Sequence, residues 1–410
     1  MTAVLERRTL GSTAWAIGTP RLLAGLDRAD RLDLDTHLAV HGALPPVGVE
    51  RLLAQVESGR LAGRGGAGFP FATKLRSLAE GRRHIVVNGS ESEPASHKDR
   101  TLLRRTPHLV LDGALALARA TEAQRVTVVV HDAGAADGVR TALAQRADAR
   151  HVQVRRVDGG FVSGEARAIV RGLSGGPALP PGRRTPTTWS GVFVSNAETF
   201  AQLAVLLRIG PRRFADTGTS AEPGTTLLTV GGAVGRPGVL EIPIGTPLGI
   251  VLAAVQAAPP RAMIIGGYHG GWVVPSAKLR LSREGVAAAG GSFGAGVLLV
   301  VDDATCALGE LARVASWLAG ESTRQCGPCR FGLPALARDV AALAAGDRGL
   351  AAAFGHARAV ERRGACAHPD GVARFVTSGL HVLQDETDRH LATGSCGRPV
   401  LGRLPIGGAR

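Results

Sequence analysis

Three short runs rich in β-branched residues, "HIVVNG" (84–89), "RVTVVVHD" (125–132) and "HVQVRRV" (151–157), alternate with "HLVLDGALALARATE" and "AADGVRTALAQRA", whose apolar residues recur at helical spacing. No other feature narrows the fold as far. Strands that alternate with helices in this way argue for an α/β layer built on a mainly parallel sheet. At 410 residues the chain is also too long for a single core, and about two to four domains are expected.

The flanking segments supply the rest of the organisation. Residues 1–46 read as a helical and irregular segment. After it come a helical "VGVERLLAQVESGR", the glycine segment "GRGGAGFP" (63–70) and a helical "ATKLRSLAEG". Residues 173–190 are rich in Pro, Gly and Thr and predict a long loop of the kind that is functional or disordered. From Thr225 the pattern "TTLLTVGG", "RPGVLEIPIG", helical "PLGIVLAAVQAA" and "AMIIGGYHGGWVV" predicts a small β-grasp module. From Cys306 onward the chain reads as an antiparallel helical bundle, closed by a loose tail rich in Gly, Pro and Arg. The expected boundaries are 1–46, an α/β domain at 47–218, the β-grasp module and its return segment at 219–300, the bundle at 301–395 and the tail at 396–410.

Composition excludes several classes. Aromatics make up only 4%, so Leu, Val and Ala must fill the cores. The apolar run "GAGVLLVV" stops at Asp302 and Asp303, far short of a bilayer span. Glu6, Arg7 and Arg8 precede any apolar stretch, which is unlike a secretory signal. Five cysteines, an odd count, argue for a reducing compartment. A cytoplasmic protein without membrane insertion is therefore expected. The net charge of +14 comes almost wholly from arginine. It reads either as coding bias or as a basic surface for an acidic partner, nucleic acid or a small acidic electron carrier. With no recognition helix, zinc-finger spacing or aromatic–basic interleave, nucleic acid is not expected. Lysine occurs only at 74, 98 and 278, which makes a chemical reason for Lys74 and Lys98 more compelling.

Four segments carry chemistry. Gly63-Arg64-Gly65-Gly66-Ala67-Gly68 fits G-x-G-x-x-G, yet a helix precedes it where the dinucleotide fingerprint needs a strand. A phosphate-cradling loop and a simple tight turn both stay open. "NGSESEPASHKDR" (88–100) sets Glu91, Glu93, Lys98, Asp99 and Arg100 just past a buried strand, at the edge where open α/β sheets bind ligands. A solvated charged loop is the alternative there. Gly164-Glu165 sits at a strand-to-helix turn that could offer backbone donors and a carboxylate. Last, Cys326 and Cys329 in "TRQCGPCR" join Cys366 in "GACAHPD", giving three thiols where zinc and cubane clusters normally take four ligands. Buried small hydrophobes are the bland reading of the same cysteines.

In this order the segments resemble the NADH-oxidising flavoprotein subunit of respiratory complex I (the NuoF type), a family shared with hydrogenase and formate dehydrogenase diaphorase subunits. The family's "GRGGAGFP…K" loop matches Gly63–Pro70 and Lys74. Its "N-A-D-E-x-E-P-x-x-x-K-D-R" matches Asn88 to Arg100, and its "Y-x-C-G-E-E-T-A-L" loosely matches Phe161 to Ile169. Its "N-N-V-E-T" matches Ser195 to Thr199. "E-S-C-G-x-C-x-P-C-R-x-G" and a distant "C-A-x-x-D" match Glu321–Gly332 and Cys366–Asp370. The resemblance runs from about Val47 to His390. It implies a Rossmann-like FMN-binding layer, an SLBB-type β-grasp module and a bundle with an iron–sulfur motif. By the same resemblance Gly63, Arg64, Gly65, Gly66, Gly68, Lys74, Asn88, Glu91, Gly164, Glu165 and Asn196 would cradle FMN. Glu93 and Lys74 are the implied catalytic candidates, with Glu93 meeting the nicotinamide nucleotide, and Cys326, Cys329 and Cys366 would hold the cluster. Electrons would pass from NAD(P)H or another donor through FMN and a 4Fe–4S-type cluster to a carrier. That carrier would be ferredoxin or another redox subunit in a larger complex.

The departures fall on polar positions. Ser90, Ala166 and Ser195 replace an aspartate, a glutamate and an asparagine of the family, and Leu179 and Leu75 replace a lysine and a tryptophan. Losing one charge-assisted hydrogen bond costs about 1.5–3 kcal/mol, so several losses weaken nucleotide binding by orders of magnitude unless new contacts replace them. The first cluster cysteine is Thr323 and the following glycine is Arg324, whose charge would raise a cluster's potential. That leaves a 4Fe–4S or 3Fe–4S cluster one ligand short, with Cys306 and Cys396 as spare thiols. A non-catalytic scaffold, and a flavoprotein inert to NADH that accepts electrons from ferredoxin, are the alternatives.

Overall fold

The computed structural model describes residues 7–9, 13–157, 159–182, 185–347 and 349–407. The chain opens with strands β1 (Arg7–Thr9) and β2 (Ala14–Ile17), then helices α1 (Leu34–His41), α2 (Val49–Ser58) and α3 (Phe71–Arg76). The α/β layer follows as β3 (His84–Gly89), α4 (Lys98–Arg105), α5 (Pro107–Ala120), β4 (Arg125–Val130), α6 (Ala133–Ala144), β5 (Val152–Arg156), α7 (Ala166–Leu173), β6 (Val192–Asn196) and α8 (Ala197–Ala215). Next come β7 (Thr225–Gly232), β8 (Gly238–Pro243), α9 (Leu248–Ala254), β9 (Ala262–Ile265), β10 (Gly271–Val273), α10 (Arg283–Ala288) and β11 (Val297–Val301). The bundle holds α11 (Ala307–Gly320), α12 (Leu333–Ala344), α13 (Leu350–Val360), α14 (His368–Val382) and α15 (Gln384–Thr393).

The first sheet is parallel throughout, in the order β5-β4-β3-β6. Its apolar residues alternate between two cores. Ile85, Val87, Val126 and Val128 pack under α4, α5, α6 and α8, while Val86, Val129 and Val194 face Ile169 of α7. The chain steps from β3 to β4 to β5 and then returns to the other side of β3. The winding thus reverses between β3 and β6, and a crevice opens at their carboxyl ends.

The second sheet runs β1-β2-β8-β7-β11-β9-β10. A β7–β8 hairpin, a helix and a central parallel β7–β11 pair give the β-grasp arrangement expected from Thr225 onward. The N-terminal expectation needs correction. Residues 1–46 were expected to be helical and irregular, yet β2 is fully buried and lies parallel to β8, with Ala14 opposite Val239. Among the described residues of that segment, only Leu34–His41 forms an α-helix. A four-residue strand carries too little periodicity to be seen alone, and its partner lies more than 200 residues away. Glu241 of β8 fastens the following turn by accepting the N–H groups of Arg21, Leu22 and Leu23.

The loose tail is also corrected. Pro399 O accepts from Cys306 N–H at 2.8 Å, Glu310 accepts from Arg403 N–H at 2.9 Å, and the Tyr268 hydroxyl donates to Pro405 O. Leu404 is completely buried. One apolar anchor and a few backbone bonds dock the segment despite its polar composition. Leu404→Ala should therefore destabilise the bundle by about 2–3 kcal/mol in urea unfolding, as large-to-small core changes do. Ile406→Ala, at a partly exposed position, should change little.

Candidate functional site

Asn88, one residue before the end of β3, pairs in register with Asn196, which ends β6, at the reversal point of the parallel sheet. Asn196 caps α8 by accepting Glu198 N–H at 3.0 Å, and it also accepts from Lys98 Nζ at 2.9 Å. Its amide donates to Asp99 at 2.6 Å and to Asn88 O at 3.4 Å. Lys98 is buried between Asp99 and Glu198, at 2.8 and 3.1 Å. Burial alone would lower its pKa, but the two carboxylates outweigh it and hold the ammonium above its ordinary value. Burial pushes Asp99 upward.

Glu91, with a left-handed φ of 46°, turns back onto the start of α4. Its carboxylate accepts from Ser96 Oγ, the N–H groups of Asp99 and Arg100, and Arg100 Nε. Glu91 and Asn196 were expected to touch a bound cofactor. In the structure both side chains also bond within the protein, where they brace the crevice.

The glycine loop lies across this crevice. Gly63 N–H donates to Phe69 O, Arg64 N–H donates to Thr199 Oγ1, and Gly65 rests on the Asn196 side chain. Gly66 has φ +110° against the backbone of Gly294, a conformation closed to most side chains. Arg283 of α10 covers Gly68, donates to Gly63 O at 2.8 Å and pairs with Glu222. Arg64 is buried, and its Nε has no partner among the described residues. A buried guanidinium with a spare donor suits a negatively charged group. A cavity of about 530 Å³ opens beside the loop between α2 and α10, but Asn88, Gly164 and Asn196 are not among its lining residues.

Opposite the loop, Gly164 O accepts from Asn88 Nδ2 at 2.9 Å. A Cβ at Gly164 would come within 2.7 and 2.9 Å of the Ser92 and Ser90 hydroxyls, so a side chain there would force both to move. Glu165 caps α7 and pairs with Arg167 at 2.7 Å. Lys74 sends its ammonium to Val194 O and over the Phe193 ring, and burial lowers its pKa to about 8. Glu93 is buried, and desolvation raises its pKa to about 7 although Tyr268 N–H donates to it at 2.8 Å.

The motif thiols gather where the bundle meets this layer. Burial pushes Cys329 up to about 12, and the nearby Cys326 and Cys366 add to the rise. The backbone N–H groups of Arg324 and His368 act in the opposite sense, favouring the thiolates of Cys329 and Cys366. Arg324 holds a left-handed φ of 54°, which glycine adopts without strain. The adjoining loops also touch: Gln325 donates to Pro180 O at 3.2 Å, Phe161 N–H donates to Glu321, and Cys366 feels the charges of Glu165 and Arg167. Neighbouring thiols whose thiolate forms are favoured by backbone N–H groups fit a sulfur-ligated cluster. Cys306 is no stand-in for the missing ligand, because it sits at the far end of α11.

Two family models match the chain in sequence order and together span more than half of it. They are the Nuo51 FMN-binding domain over residues 56–205 and the NADH-ubiquinone oxidoreductase-F iron–sulfur binding region over 309–390. The chain belongs to the NuoF family. It is 28% identical to the F-type subunit of the NADH-quinone oxidoreductase of Streptomyces coelicolor, across 97% of this chain and 96% of that one. The corresponding protein of Mycobacterium bovis is 27% identical, across 97% and 95%. A crystal structure of an NAD+-reducing [NiFe]-hydrogenase in the air-oxidized state superposes with TM-score 0.76 and 26% identity, covering 84% of this chain and 63% of that chain. The chain thus spans somewhat under two thirds of the hydrogenase chain. This NuoF-like protein is an NADH dehydrogenase-like oxidoreductase subunit with an FMN-binding domain and a 4Fe–4S binding region. No described helix is long and apolar enough to cross a membrane.

Reasoning from the sequence missed the buried Lys98–Asp99–Glu198 group as the support of the crevice; the scarcity of lysine was the available signal. Glu93 gives a test. Its pKa in the fold, about 7, lies above its ordinary 4.5. The protonated form's contribution to stability is therefore complete below about 4.5 and lost as pH rises through about 7. Glu93→Gln stays neutral, so its stability relative to wild type should be greater at pH 8 than at pH 5 in urea melts. A difference independent of pH would refute the buried, raised carboxyl.

Proposed function

We propose that this NuoF-like chain carries electrons from a reduced nicotinamide nucleotide, or another donor, to a cluster on the bundle and then to a docked carrier. The observation that carries this reading is the meeting of Cys326, Cys329 and Cys366 with the Gly164–Glu165 turn and the Pro180 loop. Gly65, Gly66, Arg64, Asn88 and Gly164 would hold FMN, which supplies the conversion between two-electron and one-electron steps. The three cysteines would hold the cluster, with Thr323 where a fourth thiolate is missing. Glu93, half-protonated near neutrality, would hold a proton beside the nucleotide.

An acidic carrier is supported by the net charge of +14 and by exposed Arg324, Arg330 and Phe331 beside the thiols, with the Arg330 guanidinium over the Phe331 ring. The relatives are named as subunits, which favours work within a complex. Ser90 donates its hydroxyl to Asn88, so it stands in for the family aspartate only as a neutral group. Nucleotide affinity is expected to be weak for that reason.

Anaerobic reconstitution with FMN, iron and sulfide tests the reading by visible spectrum, bound flavin and iron content. A protein that stays colourless and free of iron and flavin overturns it in favour of a scaffold. Stopped-flow mixing with NADH and with NADPH identifies the donor through flavin bleaching; none with either points to a ferredoxin-type donor. Cys329→Ser should lose most of the iron. Thr323→Cys should convert any three-iron EPR signal to a four-iron one and add about one iron per chain.

A further inference from the structure

At the opposite end of the bundle lies a second group of ligand-type side chains. Cys306 Sγ is 3.3 Å from Glu386 Oε1 and 3.4 Å from His390 Nε2, and Cys396 Sγ is 3.7 Å from the same Glu386 oxygen. All four ligand atoms lie within 4.8 Å of one another. Cys306, Glu386 and His390 are buried, and Cys396 is half-buried. We propose that Cys306, Glu386, His390 and Cys396 form a mononuclear zinc-type site that staples the C-terminal segment to the bundle.

The spacing carries the argument. Zinc bonds of about 2.3 Å to sulfur and 2.0–2.1 Å to nitrogen or oxygen set tetrahedral ligand atoms roughly 3.3–3.8 Å apart. The three observed separations fall in that interval without rearrangement. Two thiols, a carboxylate and an imidazole are the donor set such a site takes, and few other reasons would bury all four together.

The surroundings suit bound metal. Cys306 caps α11, and Gly309 N–H points at its sulfur from 3.2 Å, which favours a thiolate. Burial nevertheless pushes the free Cys306 thiol up to about 12, so zinc would displace its proton on binding. Leu308 N–H holds Glu386 Oε1 at 2.9 Å, fixing the carboxylate's orientation. Two thiolates and one carboxylate exceed a divalent cation by one negative charge. Arg261, paired with the other Glu386 oxygen, offsets that excess, and Arg398 stands 4.0 Å from the same oxygen.

This site is separate from the cluster thiols. Cys306 precedes the 14-residue α11 and Cys326 follows it, while Cys366 precedes the 15-residue α14 and Glu386 follows it. Each helix is about 21 Å long or slightly more, so both keep the two thiol groups at opposite ends of the bundle. The site joins three segments: the start of α11, helix α15 and the tail that also buries Leu404. Its role is structural, because four protein ligands leave no open position.

Metal analysis of the full chain, purified anaerobically and dialysed with zinc, tests the proposal. Wild type should hold about one zinc per chain in addition to iron. Cys306→Ala/Cys396→Ala should lose that zinc and keep its iron, whereas Cys326→Ala/Cys329→Ala should do the reverse. Should the first variant fail to fold, alkylation of the wild type replaces it: zinc should protect Cys306 and Cys396 from iodoacetamide, and a chelator should restore labelling. Zinc content unchanged by the first variant, absence of protection, or a Cys306–Cys396 disulfide in place of metal would overturn the proposal.

Discussion

The buried ammonium of Lys98, shared by Asp99, Glu198 and Asn196, is the interaction on which the candidate site depends. It joins the head of α4 to the turn between β6 and α8, the two elements that flank the winding reversal of the parallel sheet. With that charge group satisfied, the Asn88–Asn196 pair stays in register and the glycine loop can rest on Asn196. Removing one partner would leave an uncompensated charge out of water, which is among the costliest defects a core can hold. The crevice is therefore supported from beneath by polar residues.

The second constraint is the contact between layers. Phe161 packs against His269, Trp317 and His368, and its N–H donates to Glu321, so the turn that leads to Gly164 is fixed to the bundle that carries the thiols. Gln325 on Pro180 O adds a tie from the long loop. Electron transfer between a group at the crevice and one at the thiols needs the two sites held at a constant separation, and these contacts supply the rigidity. The bundle's other end is organised differently, around Glu386, which gathers Arg261, Leu308 N–H and the two spare thiols.

Much of this was legible before any coordinates. The strand at 84–89 has the predicted ends, the parallel layer and the β-grasp order follow the periodicities, and the thiol motif follows the spacing. Arg324 shows how a departure from family pattern becomes physical: it stands where the family motif has glycine, and it holds a left-handed φ of 54° that strains a residue with a side chain. What could not be read was the direction of individual side chains. Glu91 lies in a motif that reads as ligand-binding, yet a positive φ turns its carboxylate onto the amides of α4.

The sequence alone determined the order of the layers, the three-thiol motif and the vacancy at Thr323, because periodicity and short spacings are local properties. Only the tertiary structure paired β2 with β8, placed Leu22 on Glu241 and brought Cys306 to Glu386, His390 and Cys396. Those contacts join residues 80 to 225 positions apart. They follow from how whole elements pack, and no pattern along the chain encodes them.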